Sequence, residues 1–192
     1  MKWLINACLM LVLSFCISAC GRRDLGAAWS EEVELASGEL IVLKRTVSGV
    51  GLGELGGSGY VRTLKMTLLV KGSRTADPPQ MFEAEDVIPI IFDYDAASKE
   101  WVVVATMNDC NVWRKLGSPR LPYFEYRTSR GVWRYVELSD SMIGKSANVL
   151  TDIDLGGEKP YVEKSEKMHR NKVSAERFGS VMKEWPFNVN CQ

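Results

Sequence analysis

Carboxylates are the side chains of this 192-residue sequence whose grouping comes closest to a catalytic arrangement. Asp93 and Asp95 are two positions apart, and residues 83–86 include three more acids. Glycosidases pair carboxyl groups in this way, but the two groups must lie about 5 to 9 Å apart. Acidic loop residues are more commonly solvated. We therefore interpret both groups as loop residues and predict no catalytic residue and no enzymatic activity.

The single histidine, His169, lies between Lys167 and Lys172. A lone imidazole has no partner ligands for a metal ion, and a single histidine in the chain disfavours Ser-His or Cys-His catalysis. We therefore interpret it as part of a solvated, charged surface.

Four residues match positions 1, 3, 6 and 12 of an EF-hand calcium loop: Asp152, Asp154, Gly157 and Glu163. Their neighbours depart from that loop, since Leu155 is bulky, Lys159 replaces an apolar residue and Pro160 stiffens the second half. Aspartate and glycine also build ordinary polar turns. We favour such a turn and predict no metal and no cofactor.

Residues 51–56 spell Gly-x-Gly-x-x-Gly, a motif that in dinucleotide-binding proteins joins a strand to a helix. Here the pattern that follows, from Arg62, alternates like a strand, and six glycines crowd residues 48–59. We predict that 48–59 is a flexible, exposed loop.

An aromatic hairpin is the feature best suited to binding. Five aromatic residues, Phe124 among them, lie on the two segments that flank a turn at 129–131, and four of them form a candidate surface: Tyr123, Tyr126, Trp133 and Tyr135. Cross-strand aromatic pairs stabilise a sheet, whereas exposed rings form faces that stack on sugars or contact proteins. Packing is the favoured interpretation, and a binding surface made of these four residues is the alternative.

Strands are the elements that must position these residues. The predicted strands are 29–35, 39–45, 62–70, 87–92, 101–105, 123–128 and 132–138. The first alternates between apolar and polar residues, as half-buried strands do, and Pro89 places the fourth at a sheet edge or a bulge.

Near the C-terminus the apolar spacing becomes helical, at Phe178, Val181, Met182 and Trp185, with Ser174 as a predicted N-cap. Residues 161–170 predict a weaker helix.

The N-terminal segment is typical of an export signal. Lys2 precedes a mostly apolar run from Leu4 to Ile17, which is shorter than the ~20 residues that a spanning helix needs. Ile17-Ser18-Ala19-Cys20 resembles the lipobox of bacterial lipoproteins, in which the cysteine receives diacylglycerol and the signal is cut before it.

This resemblance implies a signal peptide over residues 1–19, a lipid-anchored Cys20 as the first mature residue, and a flexible tether over 20–28. Gly21 in place of aspartate points to the outer membrane, facing the periplasm. The lipid bilayer is then a partner, because several acyl chains anchor a protein stably.

Cysteine counting predicts one disulfide. Cys8 and Cys16 leave with the signal and Cys20 is lipidated, so Cys110 and Cys191 remain in an oxidising compartment. There is no Cys-x-x-Cys spacing that would indicate a redox pair.

Composition sets the class of the protein. The chain is 46% hydrophobic and 25% charged, which excludes collagen-like and disordered classes. Lys+Arg and Asp+Glu are both 24, so the positive field that nucleic-acid binding needs is missing. We predict an α+β protein, mainly an antiparallel β sheet or sandwich with a C-terminal helix, in a single β-rich domain over 29–192.

Four segments together resemble a family of small proteobacterial lipoproteins with no established activity. They are the Trp-Ser-Glu-Glu-Val-x-Leu-x-x-Gly opening from Trp29, the Tyr-Phe-Glu-Tyr-Arg and Gly-x-Trp-Arg segments over 123–134, the run 143–150, and the closing Asn190-Cys191. The glycine-rich stretch departs from that family's pattern. The resemblance implies a lipoprotein and supplies no catalytic residue.

We therefore expect a membrane-anchored, periplasm-facing lipoprotein that binds an envelope protein or glycan without catalysis. The alternative is an immunity-type inhibitor of an imported toxin, and an envelope hydrolase ranks third.

Overall fold

The computed structural model describes residues 22–52, 60–108, 110–153, 155, 159–173, 176–185 and 191. The predicted signal peptide, Cys20 and residues 53–59 of the predicted glycine-rich loop lie outside these ranges. Within them the chain forms two mainly antiparallel β sheets and a few short helices, which confirms the predicted β-rich α+β class.

The first sheet has five strands: β1 (Arg22–Glu34), β2 (Leu40–Leu52), β3 (Tyr60–Val70), β4 (Phe82–Glu85) and β9 (Tyr161–Val162). Their order is β4-β3-β2-β1-β9, and all pairs are antiparallel except β1 with β9. Buried residues alternate with more exposed ones along β1 and β2, because successive side chains of a strand point to opposite faces. One face of this sheet therefore packs on the core.

The first hairpin is longer than the sequence predicts. Residues 22–28, predicted as a tether, pair with 46–52 in an unbroken antiparallel register, with Ala27 opposite Val47 and Leu25 opposite Gly49. Glycine and alanine show little alternation of apolar and polar residues, so the sequence pattern does not mark this segment as a strand. It nevertheless continues the pairing of the strand beside it. The tether prediction is therefore wrong from Arg22 onwards, and the loop prediction is wrong for residues 48–52.

The second sheet has four antiparallel strands in chain order: β5 (Val87–Asp95), β6 (Glu100–Met107), β7 (Tyr123–Ser129) and β8 (Val132–Val136). The prediction for Pro89 is confirmed, since β5 is an edge strand and its register shifts between Pro89 and Ile91. Proline has no N–H to donate to a ladder, so it is tolerated at such a place.

In the described ranges, three short α-helices and one 3₁₀ turn (Asp140–Met142) complete the fold: the α-helices are α1 (Cys110–Lys115), α2 (Lys164–Val173) and α3 (Glu176–Gly179). Helix α2 corresponds to the weaker predicted helix, although Tyr161 and Val162 form strand β9 before it. None of the helices in the described part of the chain has both the length and the apolar character to cross a membrane.

The predicted C-terminal helix is wrong beyond Gly179. Ser180 forms a bridge with Ser146, and the Val181 N–H donates to the Lys145 carbonyl at 2.9 Å, so this stretch is extended. Val181 and Trp185 then pack into different apolar clusters. Their helical spacing therefore does not reflect one helix face.

Both faces of the second sheet are covered. One face packs on the first sheet, with Phe82 and Phe92 among the buried contacts. The other face packs against Met142 and Val181 from the irregular segments that follow β8 and α3. The fold is thus two sheets with a third, irregular layer.

Cys110 and Cys191 form the predicted disulfide, with their Cα atoms 5.3 Å apart. It joins α1 to the penultimate residue of the chain. The Trp113 and Trp185 rings contact each other in the same cluster, with centroids 5.4 Å apart. The bridge therefore fastens the C-terminal segment to the second sheet.

Candidate functional site

The aromatic hairpin formed by β7 and β8 is divided by the structure. Tyr123 is only 1% exposed, and its hydroxyl donates to the Ser180 carbonyl at 3.1 Å and accepts from the Met182 N–H at 3.2 Å. Tyr123 lies on the sheet face that the C-terminal layer covers. It is therefore not part of a binding surface, and that alternative is wrong for this residue.

Tyr126 and Trp133 lie on the opposite face, towards the first sheet. Both rings meet Phe82 edge to face, with centroids 5.1 and 5.3 Å apart, and Trp133 Nε1 donates to the Gln80 carbonyl at 2.8 Å. Burial raises the pKa of Tyr126 to about 12. The packing interpretation is confirmed for these two residues.

Exposed apolar surface remains on β8 itself. Tyr135 is 40% exposed, although its ring meets Tyr126 and Phe124 edge to face, with centroids 5.9 and 6.4 Å apart. Val132, at the start of the strand, is 57% exposed. Of the four aromatic residues proposed for binding, Tyr135 is the one that stays accessible.

The outer edge of β8 has main-chain groups that no other described strand binds. Arg130 and Gly131 have φ values of +52° and +80°, which identify a two-residue turn of the mirror-image type that closes tight hairpins. In the resulting register Val132 and Arg134 bond to β7, so the N–H and C=O groups of Tyr135 point away from it. No described strand pairs with that side of β8.

The other sheet edges are blunted. The N–H groups of Asn148 and Val149 donate to the Ile90 carbonyl of β5, and the Asn148 side chain bonds both the N–H and the C=O of Phe92, at 2.9 and 2.8 Å. Strand β9 covers part of β1, and β4 is four residues long with exposed acids at 83 and 85. Covered, short or charged edges resist pairing with another chain.

Charged residues form a network on the face of the second sheet that points away from the first. Arg127 Nη1 lies 2.8 Å from Asp95 Oδ2, and Arg127 Nε lies 2.6 Å from Glu125 Oε1. The Arg127 hydrogen bond lowers the pKa of Asp95 to about 2. Burial lowers the pKa of Arg127, but its bonds to Asp95 and Glu125 outweigh this and raise it above the ordinary value.

Asp93 is structural rather than a solvated loop residue. It lies in β5, is buried, and its Oδ1 accepts the N–H groups of Ala36 and Tyr94, both at 2.9 Å. Its Oδ2 lies 3.6 Å from Lys145 Nζ. The loop interpretation of Asp93 and Asp95 is therefore wrong, because both carboxylates join strand β5 to neighbouring elements.

Several turns meet at one end of the molecule, here named the turn pole: residues 36–38, 73–75, 96–99 and 130–131. The Glu39 carboxylate accepts the N–H groups of Arg74 and Thr75, at 2.5 and 3.0 Å, which fixes 73–75 on the first hairpin. An open groove of about 490 Å³ at this pole is lined by Ser37, Thr75 and Lys145 among others. Gly131 and Lys99 line a smaller groove beside it, so the β8 tip belongs to the same pole.

A buried ionic cluster lies in the core and was missed by sequence reasoning. Glu31 accepts from Arg45 Nη1 at 2.8 Å and lies 3.2 Å from Lys167 Nζ, and all three side chains are buried. Glu31 also accepts the Leu150 N–H at 2.7 Å, while Arg45 donates to the Leu150 carbonyl. One sign of it was visible in the sequence, because the alternation of β1 places the acid Glu31 on the same apolar face as Val33.

Side chains also hold the chain that follows Leu150. Asn171 on α2 accepts the Thr151 N–H at 3.0 Å and donates to the Val149 carbonyl at 2.8 Å. The Asn171 side chain thus provides hydrogen-bond partners for main-chain groups between the two sheets that have no neighbouring strand to bond to. These contacts are structural and leave no group free for chemistry.

The remaining predicted motifs do not converge on a site. His169 is exposed on α2, and Asp152 Oδ2 lies 3.7 Å from Arg170 Nε, while Asp154 and Gly157 fall outside the described residues. Gly51 lies in β2, and residues 53–56 are also outside them. Across the described ranges, no three His, Cys, Asp or Glu residues are grouped to hold a metal ion.

Known proteins offer no guide to this site. No protein family, curated protein or solved structure matches the chain.

Proposed function

We propose that this chain is an exported lipoprotein, anchored through acylated Cys20, that binds an envelope protein by accepting one of its strands along β8. The protein catalyses no reaction in this role. The observation that carries the proposal is the uncovered edge of β8, which is the part of the aromatic hairpin that stays accessible.

Strand addition fits the chemistry of this edge. An extended segment gains main-chain hydrogen bonds from an open edge, and its side chains are selected by what lies on the two faces. On β8 the inner face shows Tyr135 and the outer face shows Val132 and Arg134. This combination of apolar and cationic contacts favours a protein segment over a glycan.

Carboxylate electrostatics support a non-catalytic role. The pKa values of Glu39 and Asp95 both lie below their ordinary values. Hydrogen bonds from Arg74 and Arg127 are the leading causes. A general acid of the kind that hydrolases use needs a raised pKa instead, so these carboxylates serve packing and orientation.

Export is supported by residues at both ends of the chain. Cys20 and Gly21 carry the lipobox resemblance, and the Cys110–Cys191 disulfide suits an oxidising compartment. Gly21 favours the outer membrane with the domain facing the periplasm. A toxin recovered as the partner would make the protein an inhibitor of the immunity type, which uses the same edge.

Two substitutions at one position test the binding edge. Tyr135→Pro removes the outward N–H of β8, while the bonds of Val132 and Arg134 to β7 stay in place. Tyr135→Ala removes the same side chain and keeps that N–H. We expect wild type and Tyr135→Ala to retain a common protein from cross-linked envelope extracts, and Tyr135→Pro to lose it.

Folding is checked on each purified variant by urea denaturation, so that a lost partner is not mistaken for unfolding. Equal retention by a folded Tyr135→Pro variant would show that the β8 edge is not the binding site.

A further inference from the structure

The first strand begins close to the proposed anchor. Only Gly21 separates Cys20 from Arg22, where β1 starts. Two residues span at most about 7 Å even when fully extended. A domain joined to lipid in this way has no flexible segment that would let it rotate freely relative to the membrane.

The register shows which part of the domain lies at this end. Arg22 pairs with Leu52, and Leu52 pairs with Tyr60, so β1, β2 and β3 all have an end at the same level. We name this level the anchor end. Strands β1 and β2 are each 13 residues long, which corresponds to about 40 Å.

The turn pole lies at the opposite end of the same strands. Residues 36–38 connect β1 to β2, and the Ala36 N–H donates to Asp93 of the second sheet. The grooves and the tip of β8 therefore lie far from Arg22.

We infer that the anchor end rests on the bilayer surface and that the first sheet holds the turn pole about 40 Å along its strands from the anchor. This inference rests on the proposed lipid anchor and adds the orientation of the domain. The β8 tip then faces the periplasm, where an extended segment of another protein can reach it.

The sequence of the segments at this end is slightly basic, with Arg22, Arg23 and Arg62 against Asp24 and Glu54. Basic residues near a surface are attracted to anionic headgroups.

The test uses the mature chain, residues 20–192, which contains every described residue. With Cys110 and Cys191 bridged, Cys20 is its single free thiol and can be coupled to a maleimide lipid in phosphatidylcholine–phosphatidylglycerol nanodiscs, which tumble fast enough for the amide signals of a deuterated protein to be resolved. Gadolinium-chelate headgroups then broaden the amide signals that lie near the surface. We expect strong broadening for residues 24–26 and 49–51, and none at 36–38, 73–75 or 96–99.

A matched control inserts a flexible linker of about 12 residues between Gly21 and Arg22, which restores a tether. We expect the contrast between the two ends to weaken in this variant. Equal broadening at both ends of the direct-coupled protein, or stronger broadening at the turn pole, would overturn the inferred orientation.

Chemical coupling separates this test from the proposed function. The orientation is measured whether or not cells acylate Cys20. A failed orientation therefore leaves natural lipidation standing, and a failure of natural lipidation leaves the measured orientation standing.

Discussion

Glu31 and Arg45 form an ion pair of 2.8 Å in which neither side chain exposes any surface. The pair lies between β1 and β2 and also binds both main-chain groups of Leu150. The first hairpin is thereby joined to a segment more than one hundred residues later in the chain. Breaking such a pair leaves an uncompensated charge in a low-dielectric core, which is strongly destabilising.

Glu31→Gln tests this cluster most severely. Glu31 neutralises both Arg45 and Lys167, so its loss leaves two buried cations, and we expect the free energy of unfolding to fall by about 3 to 5 kcal/mol. Urea denaturation measures the change. Glu34→Gln, on the same strand but exposed, is the control and costs at most about 1 kcal/mol. Similar effects of the two substitutions would contradict the burial of the cluster.

Lys167 makes stability depend on pH. Burial lowers the pKa of Lys167 below the ordinary value of 10.5, although Glu31 opposes the shift. Between the lowered and ordinary values the unfolded chain binds more protons than the folded chain, so the lysine contribution to stability rises with pH.

Lys167→Met isolates the lysine contribution. Several tyrosines have raised pKa values, so their contribution to stability falls with pH above pH 10, but it is the same in wild type and variant and cancels in the difference. We expect the unfolding free energy of wild type, minus that of the variant, to increase as pH rises towards 10.5. Parallel pH profiles for the two proteins would show that Lys167 titrates normally.

Asp95 contributes at neutral pH and loses its contribution in acid. Its pKa of about 2 lies below the ordinary value of 3.8, because Arg127 donates to the carboxylate. The contribution is therefore complete above pH ~4 and declines as pH falls through the folded-state value. Asp95→Asn should cost roughly 0.5 to 1 kcal/mol at pH 7, and the difference should shrink steadily below pH 4. A difference that is constant down to pH 2 would contradict the ion pair.

The disulfide closes a long loop. Cys110 and Cys191 are 81 residues apart, so replacing both by serine should lower the free energy of unfolding by about 4 to 5 kcal/mol in the chain-entropy description. Reduced wild type should match the double variant in urea denaturation. An effect below about 1 kcal/mol would indicate that the C-terminal segment holds its place through Trp113 and Trp185 alone.

Local patterns were sufficient to predict much of the fold. The alternation of apolar and polar residues predicted the apolar parts of the long strands. Pro89, which has no N–H to donate, predicted a sheet edge or a bulge. Setting aside the two cysteines of the predicted signal peptide and the predicted lipid-bearing Cys20 left Cys110 and Cys191 as the expected pair. Each of these signals depends on residues that are near in sequence or on a simple chemical constraint.

Long-range contacts explain what was missed. Tyr123 is buried because Ser180 and Met182 cover it, and no local pattern contains that contact. Glu31 was visible as an acid on an apolar face, but its second cation, Lys167, comes from a distant helix. The helical spacing of Val181 and Trp185 was misleading because the two side chains pack into separate clusters.

The most direct test of lipid anchoring at Cys20 is the mass of the N-terminal peptide of the protein isolated from cell membranes. We predict a peptide that begins at Cys20 and carries diacylglycerol on its sulfur and an acyl chain on its amino group. A peptide that begins at Met1, or one that begins elsewhere and carries no lipid, would contradict the anchor.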